Sequence, residues 1–229
     1  MNYLKKLIIS SKEIIITYII EYLVIIISCI IYKLSFNKDL NIFINNTLPI
    51  ISIISLIIIT IYLYIHNKRK ESNINYKYIP VLISIGISQS CLLNMIIFKI
   101  FPSTKINNNI SLSILIMSSG LIGPLYEEIL FRYINLHKLK KFNSNYFSIL
   151  LNSIIFSLIH FNLKKIFFAF FLSLTINIIY HKHNNIIYPI IIHTSANIIS
   201  LFLYEYNHTI FLLSIICILI NYEIIKIIN

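Results

Sequence analysis

Residues 50–65 read Ile50-Ile51-Ser52-Ile53-Ile54-Ser55-Leu56-Ile57-Ile58-Ile59-Thr60-Ile61-Tyr62-Leu63-Tyr64-Ile65. No charge interrupts the run, and its apolar positions do not alternate with polar ones as a half-buried strand would require. With its flanks it covers 42–65, enough for a hydrocarbon layer that takes about 20 helical residues to cross. Isoleucine makes up about a quarter of the chain, and β-branched residues ordinarily favour strands. In lipid that preference is overridden, because a helix satisfies every backbone polar group within its own segment. A transmembrane barrel would instead show segments of about ten alternating residues.

Seven further stretches of the same kind lie at 14–32, 79–101, 110–131, 146–161, 166–180, 186–204 and 209–228. The expected fold is therefore all-α, a polytopic membrane helical bundle of about eight transmembrane helices. The stretches at 146–161 and 166–180 are short for a span, which suits tilted or re-entrant helices. Short polar linkers separate the runs, at Lys33–Asn41, His66–Tyr78, Asn135–Asn145 and His181–Asn185. No internal repeat or composition break divides the chain, so residues 1–229 are expected to form one integral membrane domain.

Composition agrees: 58% of the 229 residues are hydrophobic and 12% charged, and mean hydropathy is +0.83. Soluble domains hold about 25% charged residues. The net charge of +11 fits loop lysines facing anionic lipid, while nucleic-acid binding would want a basic stripe with exposed aromatics, and none is visible. Twelve Lys and Arg fall on the side of the N-terminus and six on the other, so both termini are expected in the cytoplasm of a multi-pass cell-membrane protein. Lys5 and Lys6 precede an apolar stretch with no small-residue cleavage site, which reads as an uncleaved first span. Cys29, Cys91 and Cys217 lie inside apolar runs without any CxxC spacing, as lipid-facing or packed thiols.

Ionisable residues inside such runs carry the functional information, since each costs about 2.5–3.5 kcal/mol at a helix centre. The fourth run contains Gly123-Pro124-Leu125-Tyr126-Glu127-Glu128-Ile129-Leu130-Phe131-Arg132. Glu128 and Arg132 share a helical face and can pair, whereas Glu127 is rotated by about 100° and is available as a base. The alternative is that both glutamates lie at an interface. The fifth run ends on Phe156-Ser157-Leu158-Ile159-His160, where a histidine by itself is ordinarily interfacial. The seventh contains His193-Thr194-Ser195-Ala196-Asn197, which places an imidazole and an amide on one face, for function or for a hydrogen bond between helices. Glu21 in the first run has no legible partner and is assigned no role. Gln89 and Asn94 read as helix–helix hydrogen bonds, and His66, His137, His181, His183 and His208 as solvated loop residues.

The order Glu-Glu-x-x-x-Arg, Phe-x-x-x-His, His-x-x-x-Asn resembles the CAAX protease and bacteriocin-processing family (CPBP, or Abi) of intramembrane endopeptidases. The motifs stand at Glu127, Glu128 and Arg132; Phe156 and His160; and His193 and Asn197. Pro124 ahead of the acidic pair and Tyr188-Pro189-Ile190-Ile191 ahead of His193 also look like the family. The family-like core is about 110–204. Two departures stand out. Tyr133 occupies a position where the family usually has Gly, and Ser173, Thr175 and Asn177 lie where small residues are common.

The resemblance implies hydrolysis of a peptide bond in a small hydrophobic peptide or membrane-anchored protein, of the bacteriocin or peptide-signal maturation or self-immunity type. Glu127 would be general base, His160 would polarise the water, and His193 and Asn197 would stabilise the oxyanion. Glu128 and Arg132 would support the site. Members are described both as metal-dependent and as glutamate-dependent. The chain lacks a His-Glu-x-x-His helix, so no cofactor is expected. Zinc held by Glu127, His160 and His193 is the other option. Two non-peptidase readings remain, a membrane immunity or scaffold protein and a proton-coupled transporter. No inverted repeat favours the latter.

Overall fold

The computed structural model describes residues 8, 11–36, 47–101 and 111–228. These form eight helices and no strand. They are α1 (Lys12–Phe36), α2 (Leu48–His66), α3 (Ile79–Ile100), α4 (Leu112–Lys140), α5 (Asn145–Leu158), α6 (Leu163–His183), α7 (Ile187–Ser200) and α8 (His208–Ile228). Every expected run thus meets a helix, and the protein is an all-α polytopic membrane protein. Six helices are long and apolar enough to cross a membrane. α5 and α7 have 14 residues each, about 21 Å at the α-helical rise. Ile19, Ile26 and Ile30 on α1 and Ile54, Ile58 and Ile61 on α2 are exposed, a pattern suited to acyl chains and a liability in water.

Several boundaries differ from expectation for identifiable reasons. α4 continues to Lys140 rather than stopping at 131, because Arg132 and Asn135 are fully buried instead of facing solvent. Glu127 therefore lies near the middle of its helix, not late in it. α6 is 21 residues long rather than short. Asn162 caps its start by accepting from the Lys164 and Lys165 N–H groups, and Asn184, left-handed at φ 46°, ends it. α7 stops at Ser200, short of 204, where the chain tightens into successive turns through Leu203. The expected starts of the second and fourth runs, and Lys5, Lys6, Lys38 and Lys105, lie outside the described residues.

The chain divides into two compact units, residues Met1–Lys68 with Asn107–Phe142, and Arg69–Ile106 with Asn143–Asn229. In the first, α1 and α2 pack on each other and both pack on α4. α1 runs antiparallel to α4: Ser11 donates to Asn135 Oδ1 at 3.4 Å, Glu13 pairs with Lys138, and the rings of Tyr18 and Tyr126 meet edge to face at 6.2 Å. The Thr17 hydroxyl, buried in the same stripe, satisfies itself on the Glu13 carbonyl at 2.7 Å.

In the second unit, α3 packs on α7 and α8, and α5 and α6 form a pair. Polar residues join these helices, as membrane interfaces favour. Gln89 Nε2 donates to the Phe171 carbonyl and to Thr175 Oγ1, both at 2.9 Å, and Asn94 Nδ2 to Ser200 Oγ at 3.1 Å. These are the helix–helix bonds expected of Gln89 and Asn94. At one end of this unit the segment after Arg69 is pinned to the α6–α7 turn, where Asn185 Nδ2 donates to the Ser72 carbonyl at 2.7 Å. Beside it, burial pushes the half-buried Glu71 carboxyl above its ordinary range, opposed by the Ile186 N–H and by Arg69. His183, expected to be solvated, packs between Tyr78 and Tyr188, with ring centroids at 5.0 and 5.3 Å.

Candidate active site

Glu127, Glu128 and Arg132 lie in the first unit, on an irregular α4. Residues Ile116–Ile122 and Ile129–Leu136 are π-helical, and between them Gly123–Glu128 is α-helical. Pro124 lacks the N–H that an α-helix would direct to Gly120, so the ladder has to change near it. The Gly123 N–H donates instead to the Ser118 carbonyl, five residues back. Position 123 needs glycine, since a Cβ there would stand 2.9 Å from that same oxygen. Such widened turns are frequent at functional sites.

Glu128 and Arg132 are both fully buried, with Arg132 Nε 3.0 Å from Glu128 Oε2. Glu127, adjacent but on another face, is only half-buried. The two carboxylates are thus distinguished as the spacing anticipated. Tyr133 is buried against Tyr64 of α2, with centroids 5.3 Å apart. The departure from glycine therefore serves packing inside the first unit.

His160, His193 and Asn197 lie in the second unit. Phe156 on α5 is 1% exposed, and its ring meets two imidazoles, His160 at 5.3 Å and His193 at 5.8 Å, both nearly perpendicular. Edge-to-face contacts of this kind fix ring orientation. His160 follows the end of α5, in a turn closed by Phe161 at φ 49°. His193 is 3% exposed, and Asn197 follows one turn later on α7, half-buried. α5 and α7 run parallel because α6 returns between them, so both motifs reach the same end of the unit.

Two sets of contacts hold this arrangement. Gly86 of α3 faces α7 so closely that a Cβ would lie 2.0 Å from Ser195 Oγ and 2.4 Å from the Ile192 carbonyl. Ser90 Oγ donates to the Ala196 carbonyl at 2.8 Å, fixing the same turn. Behind His160, the buried Asn177 on α6 donates to Ser153 Oγ at 2.9 Å and accepts from Asn152 Nδ2 at 3.0 Å, with Ser173 beside it. Asn177 and Ser173 thus replace small-residue packing by hydrogen bonds between α5 and α6.

The structure brings together Glu128 with Arg132, and His160 with His193 around Phe156; the first pair belongs to one unit and the second to the other. Sequence reasoning missed Gly86. Gly86 is one of only three glycines, a usable signal of close approach. Two imidazoles and a carboxylate make a donor set that suits zinc, whereas an amide does not. Within neither unit, among the described residues, do three His, Cys, Asp or Glu side chains converge as a metal would need.

The first unit of this multi-pass helical protein thus holds a buried carboxylate–guanidinium pair beside a second glutamate, and the second unit a histidine pair around Phe156 with an asparagine one turn on. Residues 109–199 match the family described as "Type II CAAX prenyl endopeptidase Rce1-like". The CPBP resemblance is thereby borne out over that segment, which contains all three motifs. No curated protein and no solved structure matches the chain.

Proposed function

We propose that this protein is an intramembrane endopeptidase that cleaves a small hydrophobic peptide or a membrane-anchored protein, in maturation of a secreted or signalling peptide or in self-immunity. Glu127 takes a proton from a water molecule, and the water oxygen attacks the scissile carbonyl carbon. His160 orients and polarises that water. His193 and Asn197 donate to the oxyanion, each lowering the barrier by about 3–4 kcal/mol. As the C–N bond breaks, Glu127 returns the proton to the departing amine. Glu128 and Arg132 hold α4 so that Glu127 keeps its aim. We propose a metal-free mechanism, and a cell-membrane location with both termini cytoplasmic.

The observation that carries this reading is the pair of imidazoles locked on one buried aromatic ring with an amide one turn on. A structural pair of histidines has no need of that third group, whereas an oxyanion does. The family match of residues 109–199 supports the same reaction class.

The test is cleavage of a fluorogenic hydrophobic peptide anchored in liposomes that contain the purified protein. Glu127→Gln, His160→Ala and His193→Ala are each expected to lower turnover at least 100-fold with helix content unchanged. Undiminished cleavage in Glu127→Gln would overturn the assignment. Loss of activity on chelation, restored by added zinc, would replace the metal-free mechanism by a metal-dependent one.

A further inference from the structure

In the second unit α3 and α8 meet along a seam of small and polar side chains, and a thiol from each helix stands at its edge. Asn221 Nδ2 donates to Ser88 Oγ at 3.4 Å, and the Asn207 N–H donates to Met95 Sδ at 3.1 Å. Partner numbers fall as α3 advances, so the two helices are antiparallel. Cys91 lies one turn past Ser88, and Cys217 one turn before Asn221. Both steps lead toward the contact of Met95 with Asn207. That register places the two cysteines across the seam from each other.

A cavity agrees with the register. Cys91 and Cys217 both line a space of about 380 Å³ between α3 and α8, together with Ser84, Ser88 and Ser214. The hydroxyls of Ser88 and Ser214 are spent on carbonyls of their own helices, those of Ser84 and Phe211, both at 2.7 Å. The thiols are therefore the reactive groups of the cavity. Both are free, Cys91 half-buried and Cys217 exposed. Ile83, Ile87 and Leu213 at the rim are exposed as well, so the space opens toward acyl chains. A disulfide takes about 4.4–6.8 Å between Cα atoms, a separation that helices meeting through serines can reach.

We propose that Cys91 and Cys217 form an intramembrane dithiol site, which a lipid-soluble oxidant of the quinone class closes to a disulfide that staples α8 to α3. One S–S bond forms and two S–H bonds break. Two electrons and two protons pass to the quinone, which leaves as the hydroquinone. Water-soluble disulfides reach thiols at this depth poorly, because exchange depends on access as well as on the thiolate. The chemistry of the site thus selects an oxidant that dissolves in hydrocarbon.

The test uses the full chain carrying Cys29→Ser, purified into liposomes, so that only the two cavity thiols remain. The probe is a fully substituted benzoquinone with an alkyl tail. The protein is expected to lose the mass of two hydrogen atoms, to yield one α3 peptide joined to one α8 peptide after digestion, and to regain both hydrogens on reduction. Cys91→Ser and Cys217→Ser are each expected to abolish the mass change. An unaltered mass, covalent dimers in place of the internal link, or a mass loss that persists in either serine variant would overturn the proposal.

Unfolding in mixed micelles of rising SDS fraction tests the staple itself. The oxidised protein is expected to unfold at a higher SDS fraction than the reduced one, and reduction to return it to the parent value. Coincident transitions would overturn the stapling of α8. Neither readout depends on cleavage, so a failed peptidase assay leaves both decisive.

Discussion

Arg132 and Glu128 offer a quantitative test of how α4 is held. Both side chains have zero exposure and their charged atoms are 3.0 Å apart. At an effective dielectric of about 20 their attraction is about 5 kcal/mol, set against the cost of taking both ions out of water. Removing one member does not merely forfeit the difference, because it strands the other charge in the interior. Arg132→Met and Glu128→Gln are each expected to destabilise the fold by about 3–5 kcal/mol. The double variant Glu128→Leu with Arg132→Met removes both charges and is expected to lie within about 1 kcal/mol of the parent. The assay is reversible unfolding in mixed micelles of rising SDS fraction, followed by far-ultraviolet circular dichroism. Losses below about 1 kcal/mol in the single variants, or a double variant as unstable as the sum of both, would refute the reasoning.

Other consequences are simpler to measure. Gly86→Ala places a methyl 2.4 Å from the Ile192 carbonyl, and backbone cannot rotate away as Ser195 can. It is expected to cost about 1–3 kcal/mol and to slow cleavage of the liposome-anchored peptide, with no rescue by Ser195→Ala. Glu71 has its carboxyl raised by burial, so its neutral form favours the folded state. That contribution is complete below the unfolded carboxyl value and fades as pH rises through the folded one. Thermal unfolding across that window is expected to show stability falling with pH in the parent, and a flatter profile in Glu71→Gln.

The helices were legible because apolar runs of membrane length leave the backbone no other way to satisfy itself. Their ends were less so. Asn135 opens a stretch read as a polar linker, and only its burial beside Ser11 shows that the helix continues through it. Within the site, the different environments of Glu127 and Glu128 followed from helical spacing alone. The meeting of His160 and His193 did not, since it depends on Phe156 and on α6 returning the chain so that α5 and α7 run parallel. Tyr133 and Asn177, which looked like departures from a family pattern, make sense only with Tyr64 and with Asn152 and Ser153 in view.

The widened turns on either side of Gly123–Glu128 make the azimuth of that short segment independent of what precedes it. Excising a single residue from 116–122 would let the ladder revert to regular winding and leave everything downstream near its present azimuth, because a widened turn holds about one residue more than an α-helical turn. Excision inside the regular turn that follows, 123–126, has no such slack and would swing Glu127 by about 100°. Length variation is therefore absorbed by the first stretch and barred from the second.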